Sequence, residues 1–166
     1  MATLITLGLA QIMVGIAAPD GTMPLVGALV KIGKTYMETC KMAQAASDVT
    51  EHYEEGKAAP EVRNKKKKMP ALTFSIMDPD TALLAAYVGG TVTAEKWGFN
   101  GDEAVANRSI QVQTEQGLWV DIPNADIEAV INSDFSTKGL FMVDFTVTPL
   151  AVSAGKAINA YVPVVV

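Results

Sequence analysis

Hydrophobic and polar positions alternate with a period of two along much of this chain. Leu72, Phe74 and Ile76 alternate with Thr73 and Ser75, and Ile110 and Val112 with Gln111 and Gln113. Phe141, Val143, Phe145 and Val147 alternate with Met142, Asp144, Thr146 and Thr148, while Asp126, Glu128 and Asp134 are interleaved with Ile127, Ala129 and Ile131. Successive side chains of a strand point to opposite faces, so each run predicts a strand with one face in a core and the other facing something wet. Glu115-Gln116-Gly117 separates 109–114 from 118–122 as a short hairpin turn, Gly supplying a positive φ. Ser136, Thr137, Lys138 and Gly139 do the same between 126–135 and 140–149.

A helical signal is confined to one place. Asp78 is a candidate cap, Pro79 suits a first helical position, and Asp80 complements the positive end of the helix. Thr81 to Val88 then place Leu83, Leu84, Tyr87 and Val88 on one flank before Gly89-Gly90 stop the helix. So short a helix must lean on the sheet. Residues 2–18 carry no charge and end in small residues, as a signal peptide does, but no Lys or Arg precedes Lys31. Gln11 and two glycines interrupt the apolar run, so a buried strand is the preferred reading over a leader or a membrane span. The segment 49–69 is charged, contains Gly56 and Pro60, shows no apolar period, and predicts a long loop.

Composition sharpens this picture. The 166 residues fit a single domain, 1–166, able to bury one core without disulfides or metals. Hydrophobic residues make up 49% against 19% charged, an apolar surplus that partner subunits could cover. The net charge of −5 is uneven, with +4 concentrated in 61–69 and −7 in 70–166. An acidic body with one basic segment is not the footprint of a protein that grips nucleic acid. A single cysteine, Cys40, excludes an internal disulfide, and with a single histidine, His52, it excludes nearly all transition-metal ligand sets.

The candidate chemistry is thin. Glu51, Glu54 and Glu55 surround His52, but they lie in a loop with no second constraining ligand set, so surface charge is the better reading. His52 has no Ser or Cys nucleophile near it in sequence, and Cys40 sits among small residues as a small apolar side chain. Spacing of two between Asp126, Glu128 and Asp134 marks a shared wet face more than an acid–base pair. No Walker loop, dinucleotide fingerprint, nucleophile elbow or HExxH occurs. The expectation is a protein that is not an enzyme and takes no cofactor. Arg63 with Lys65, Lys66, Lys67 and Lys68 lacks interleaved aromatics, and docking onto the acidic surface of another copy is preferred to nucleic-acid binding.

Between about Val30 and Leu150, VKIGKTY is followed by METCKMAQAASDVTE and by a charged loop ending EEGKAAPEVRNKKKKMP. LTFSIMDPD, the helix TALLAAYVGG and two hairpins complete the series. This order of features resembles the tail tube proteins of long-tailed bacteriophages, a family related to the tubes of contractile injection systems, while 151–166 has no counterpart. The resemblance implies a mainly β fold, a β-sandwich or barrel with one short flanking α-helix and a long stacking loop. It implies hexameric rings that pool strands into an inner barrel and stack into a hollow tube, the conduit for genome ejection. The partners implied are other copies of the chain, a tape-measure protein and other tail proteins, and passing DNA in transient contact, with no membrane. The location implied is the virion tail, assembled in the host cytoplasm. In that scheme Glu51, Glu54, Glu55, Arg63, Lys65, Lys66, Lys67 and Lys68 belong to the inter-ring loop. Thr73, Ser75, Glu128, Asn132, Asp144 and Thr146 are the candidates to line the channel. Two alternatives stand beside it, a contractile or secretion-system tube protein and a monomeric ligand-binding β-barrel with a pocket lined by Trp97, Trp119 or the tyrosines.

Overall fold

The computed structural model describes residues 3–164. The fold is mainly β: one large antiparallel sheet, two separate hairpins and one short helix. Strand β1 is Leu7–Ile16, β2 Val30–Lys31, β3 Lys41–Ala43, β4 Asp48–His52, β5 Val62–Lys66 and β6 Ala71–Ile76. Helix α1 begins at Thr81–Leu83 and runs on as a wider turn over Leu84–Val88. Then come β7 Thr91–Thr93, β8 Lys96–Gly98, β9 Ala106–Gln116, β10 Trp119–Ser133, β11 Phe141–Pro149 and β12 Asn159–Tyr161. In the sheet the order is β2-β1-β9-β10-β11-β6-β3, with β12 beside the first residues of β10.

A strap joins the two margins of this sheet and makes it barrel-like. Lys31 pairs with Met13 of β1, and the Ile32 amide donates to the Ile12 carbonyl. A few residues on, Thr35 bridges to Ile76, and the Tyr36 amide donates to the Ser75 carbonyl at 2.8 Å. The same short stretch thus satisfies backbone groups on β1 and on β6, which reduces the exposed edge that an open sheet presents. Inside lie Ile12, Val14, Leu72, Phe74, Ile76, Ile110, Ile122, Ile127, Val143, Phe145 and Val147. Phe74 and Phe145 stack at 5.0 Å, and the Tyr87 ring meets Phe145 edge-on at 5.4 Å.

Several sequence expectations are met in detail. The apolar phases of 72–76 and 143–147 are buried, and both predicted turns are present. Gly117 has φ +96, and a Cβ there would stand 2.6 Å from Thr6 Cα. The Asp134 amide donates to Leu140 across the other turn. Leu83, Leu84, Tyr87 and Val88 all pack against the core, and Gly89 stops the helix at φ +114.

Others are corrected. Asp80, not Asp78, is the helix cap: its Oδ1 accepts from the Leu83 amide at 2.8 Å, while Asp78 Oδ1 accepts from Lys34 in the strap. The stretches 118–122 and 126–135 are not separate strands but one long β10. Pro123 survives inside it because the register with β9 shifts between Ile122 and Ala125, a place where a missing donor disrupts no ladder bond. The N-terminal strand is buried only at Ile12 and Val14, and its end residue Ile16 is 82% exposed. The polar phase of 109–113 is not wet: Ser109, Gln111 and Gln113 are all buried. Finally, 49–69 is not an irregular loop but mainly a hairpin, with Glu51 opposite Arg63 and Val49 opposite Lys65.

Candidate assembly surfaces

The six residues proposed for a channel wall come together on one outward face of β10, β11 and β6. Antiparallel partners in register project to the same side of the sheet. Glu128 lies opposite Thr146, which lies opposite Thr73; in the next row Val130 faces Asp144, which faces Ser75; Asn132 faces Met142. Asp144 ties the face together, accepting from Ser75 Oγ at 2.5 Å and from Asn132 Nδ2 at 2.9 Å. The opposite phase, Ile127, Val143, Phe145, Leu72 and Phe74, fills the core. One basic group interrupts the expected chemistry, because Lys41 of β3 pairs with Thr73 and ends that row. The face is otherwise hydroxyl, amide and carboxylate, with Val130 and Met142 as apolar exceptions.

The eight arm residues occupy a hairpin whose strands pair only with each other. Nearly every side chain of β4 and β5 is exposed, including Val49 and Val62. The arm is charge-sorted. Arg63 Nε meets Glu51 Oε1 at 2.7 Å, Lys68 Nζ meets Asp48 Oδ1 at 2.8 Å, and Lys57 bridges Glu54 and Glu61 near the tip. The Tyr53 hydroxyl donates to Glu51 and, with Arg63, holds that carboxyl below its usual range. Lys65, Lys66 and Lys67 have no carboxylate partner among the described residues, and neither has Glu55. An isolated two-stranded hairpin is marginal in water, so such an arm gains from a surface to lie on.

A buried polar network escaped the sequence reading. Gln11 Nε2 donates to Gln113 Oε1 at 2.6 Å, and Gln113 Nε2 to Gln111 Oε1 at 2.7 Å. Gln111 Nε2 donates in turn to Asp121 Oδ1 and to the Tyr161 hydroxyl. These bonds fasten β12, and hence the C-terminal segment, to β9 and β10. Burial raises the Asp121 carboxyl above its ordinary value, with the Gln111 and Tyr161 bonds opposing. Because the folded state then holds its proton more tightly than the unfolded chain, Asp121 detracts from stability at neutral pH. That deficit disappears as pH falls through the raised value. Asp121→Asn keeps the accepting oxygen and removes the charge. Thermal melts should therefore show a higher Tm for the variant at neutral pH, with the gain shrinking on acidification. An equal or lower Tm at neutral pH would contradict this account of the network.

The remaining candidates lead elsewhere. Cys40 lines a cleft of about 510 Å³ at the barrel mouth with Leu7, Leu9, Met37 and Met42, and burial pushes its thiol up to about 11. A thiol so held is a poor nucleophile. Neither tryptophan lines that cleft, although Tyr36 does. Trp97 Nε1 donates to the Gly89 carbonyl and Trp119 Nε1 to the Thr114 carbonyl, so both serve as local braces. His52 sits on the arm opposite Val62. Among the described residues no three His, Cys, Asp or Glu side chains converge as a metal site would require, and no helix is long and apolar enough to cross a membrane. No protein-family model matches the sequence, and no curated protein matches it.

Proposed function

We propose that the chain is a structural subunit that self-assembles into stacked rings forming a hollow tube, the tail tube of a long-tailed phage, through which DNA passes. The observation that carries this reading is the largely polar face on β10, β11 and β6, broken at Val130 and Met142 and backed directly by the core. A conduit for DNA must not hold its cargo, and each Lys or Arg that contacts phosphate releases counterions and adds affinity. A wall of hydroxyls, amides and carboxylates keeps water at the surface and repels phosphate. The projecting hairpin, which packs into no core of its own, supports the same reading as an arm directed at another copy. Hexameric rings, contact with a tape-measure protein and residence in the virion follow from the family resemblance and stand with it. The test is to introduce Asp144→Lys and Thr146→Lys, confirm that tubes still form, and measure DNA ejection. The reading predicts retained DNA and infectivity lowered by orders of magnitude, because every copy would add positive charge to the path. Normal ejection from such tubes would remove this face from the channel.

A further inference from the structure

The pairing of β10 with β9 ends at Ile127 opposite Ala106, yet β10 continues to Ser133. Over Glu128–Ser133 it pairs with β11 alone, leaving one backbone edge free inside the molecule's own sheet. A groove of about 760 Å³ runs along this edge, floored by Tyr87, Val88, Phe99, Val105 and Val130. The floor is open, since Val105 is 87% exposed and Val130 55%. Four carboxylates rim it, Asp102, Glu103, Asp126 and Glu128, and none is in an ion pair among the described residues. Free strand edges are templates for another strand, and charge around the edge selects which strand is accepted.

We infer that this groove receives the basic strand β5 of a second copy of the chain, which adds to the free edge of β10 while Lys65, Lys66 and Lys67 meet the carboxylate rim. The complementarity is specific to what each side leaves unsatisfied. Strand β5 is extended and pairs with β4 on one side only, and its Lys65 and Lys66, with Lys67 just after it, have no carboxylate partner among the described residues. The groove supplies an unpaired edge, four unpartnered carboxylates, and apolar surface for Val62 or Met69, both about half exposed in the arm. Arm and groove are separate surfaces of the subunit, so each copy can offer its arm to one neighbour while receiving the arm of another, and a heterologous contact of this kind can propagate from copy to copy. Glu128 stands where the groove meets the polar face, which puts the docked arm beside the proposed channel wall.

This inference rests on the self-assembly reading, and the experiment separates the two. Three full-length proteins are compared at low salt by sedimentation and electron microscopy: the parent, a groove variant (Glu103→Lys with Asp126→Lys) and an arm variant (Lys66→Glu with Lys67→Glu). The substituted side chains are exposed, and circular dichroism checks that each protein is folded. Each variant alone should associate about tenfold or more weakly than the parent, since several exposed charge contacts turn repulsive together. Combining all four substitutions in one chain should restore association, and so should mixing the two variants. A groove variant that associates like the parent, or a combination that restores nothing, overturns the inference while leaving tube assembly standing. A parent that stays monomeric overturns both. Should the groove variant fail to fold, Glu103→Gln with Asp126→Asn is read instead: a smaller loss of association supports the site, and parental association overturns it.

Discussion

Excising residues 49–65 and joining Asp48 to Lys66 through an Asn-Gly turn should leave a folded protein that no longer forms tubes. Asp48 and Lys66 are directly opposite partners, so a two-residue hairpin turn can span them without moving the flanking chain. None of the excised residues belongs to the core, and the arm pairs with no strand outside itself. The thermal midpoint should therefore stay within a few degrees of the parent, as for a surface change away from buried features. Assembly should be lost, because the removed segment carries Arg63, Lys65 and the free outer edge of β5. Circular dichroism with sedimentation reads both halves of the result. A truncated protein that still builds tubes would remove the arm from stacking. One that fails to fold would show that the arm is part of the domain.

Phe145→Ala should have the largest effect on stability. Phe145 is fully buried at the centre of β11, opposite Ala129 on one side and Phe74 on the other. Its ring stacks on Phe74 and takes the edge of Tyr87, which joins the helix to the sheet. Truncation of such a side chain removes transfer energy and leaves a cavity between two aromatic neighbours, a cost of about 3–5 kcal/mol. Domains of this size hold only about 5–15 kcal/mol in total. Urea titration should show the midpoint falling steeply, with loss of tube assembly following from loss of the folded subunit. Thr146→Ala, one residue away but on the outward face, is the control and should change stability by less than about 0.5 kcal/mol. Equal effects at the two positions would contradict the assignment of the strand's faces.

How far the sequence foretold this structure depends on where each element finds its partners. The runs at 71–76 and 141–149 were legible because one side of each strand packs on the core and writes a two-residue period into the chain. The same alternation named the outward residues from Thr73 to Thr146, and neighbouring strands brought them together. The arm was not legible as a hairpin for the opposite reason. Neither face of β4 or β5 packs on anything, so no apolar period marks VTEH or VRNKK. Gln111 and Gln113 misled because their amides satisfy one another and Asp121, so they can be buried without apolar side chains. Pro123 misled because it occupies a register shift, which depends on the pairing of two distant strands. The groove was hidden for a related reason: its edge exists only because β9 begins one strand-length too late to cover the end of β10.

The central claim is that this chain builds a hollow assembly, and direct imaging tests it best. Purified full-length protein, concentrated at low salt and viewed by negative-stain electron microscopy, should show rings or tubes with a stain-filled central channel. Uniform monomeric particles at every concentration would contradict the account.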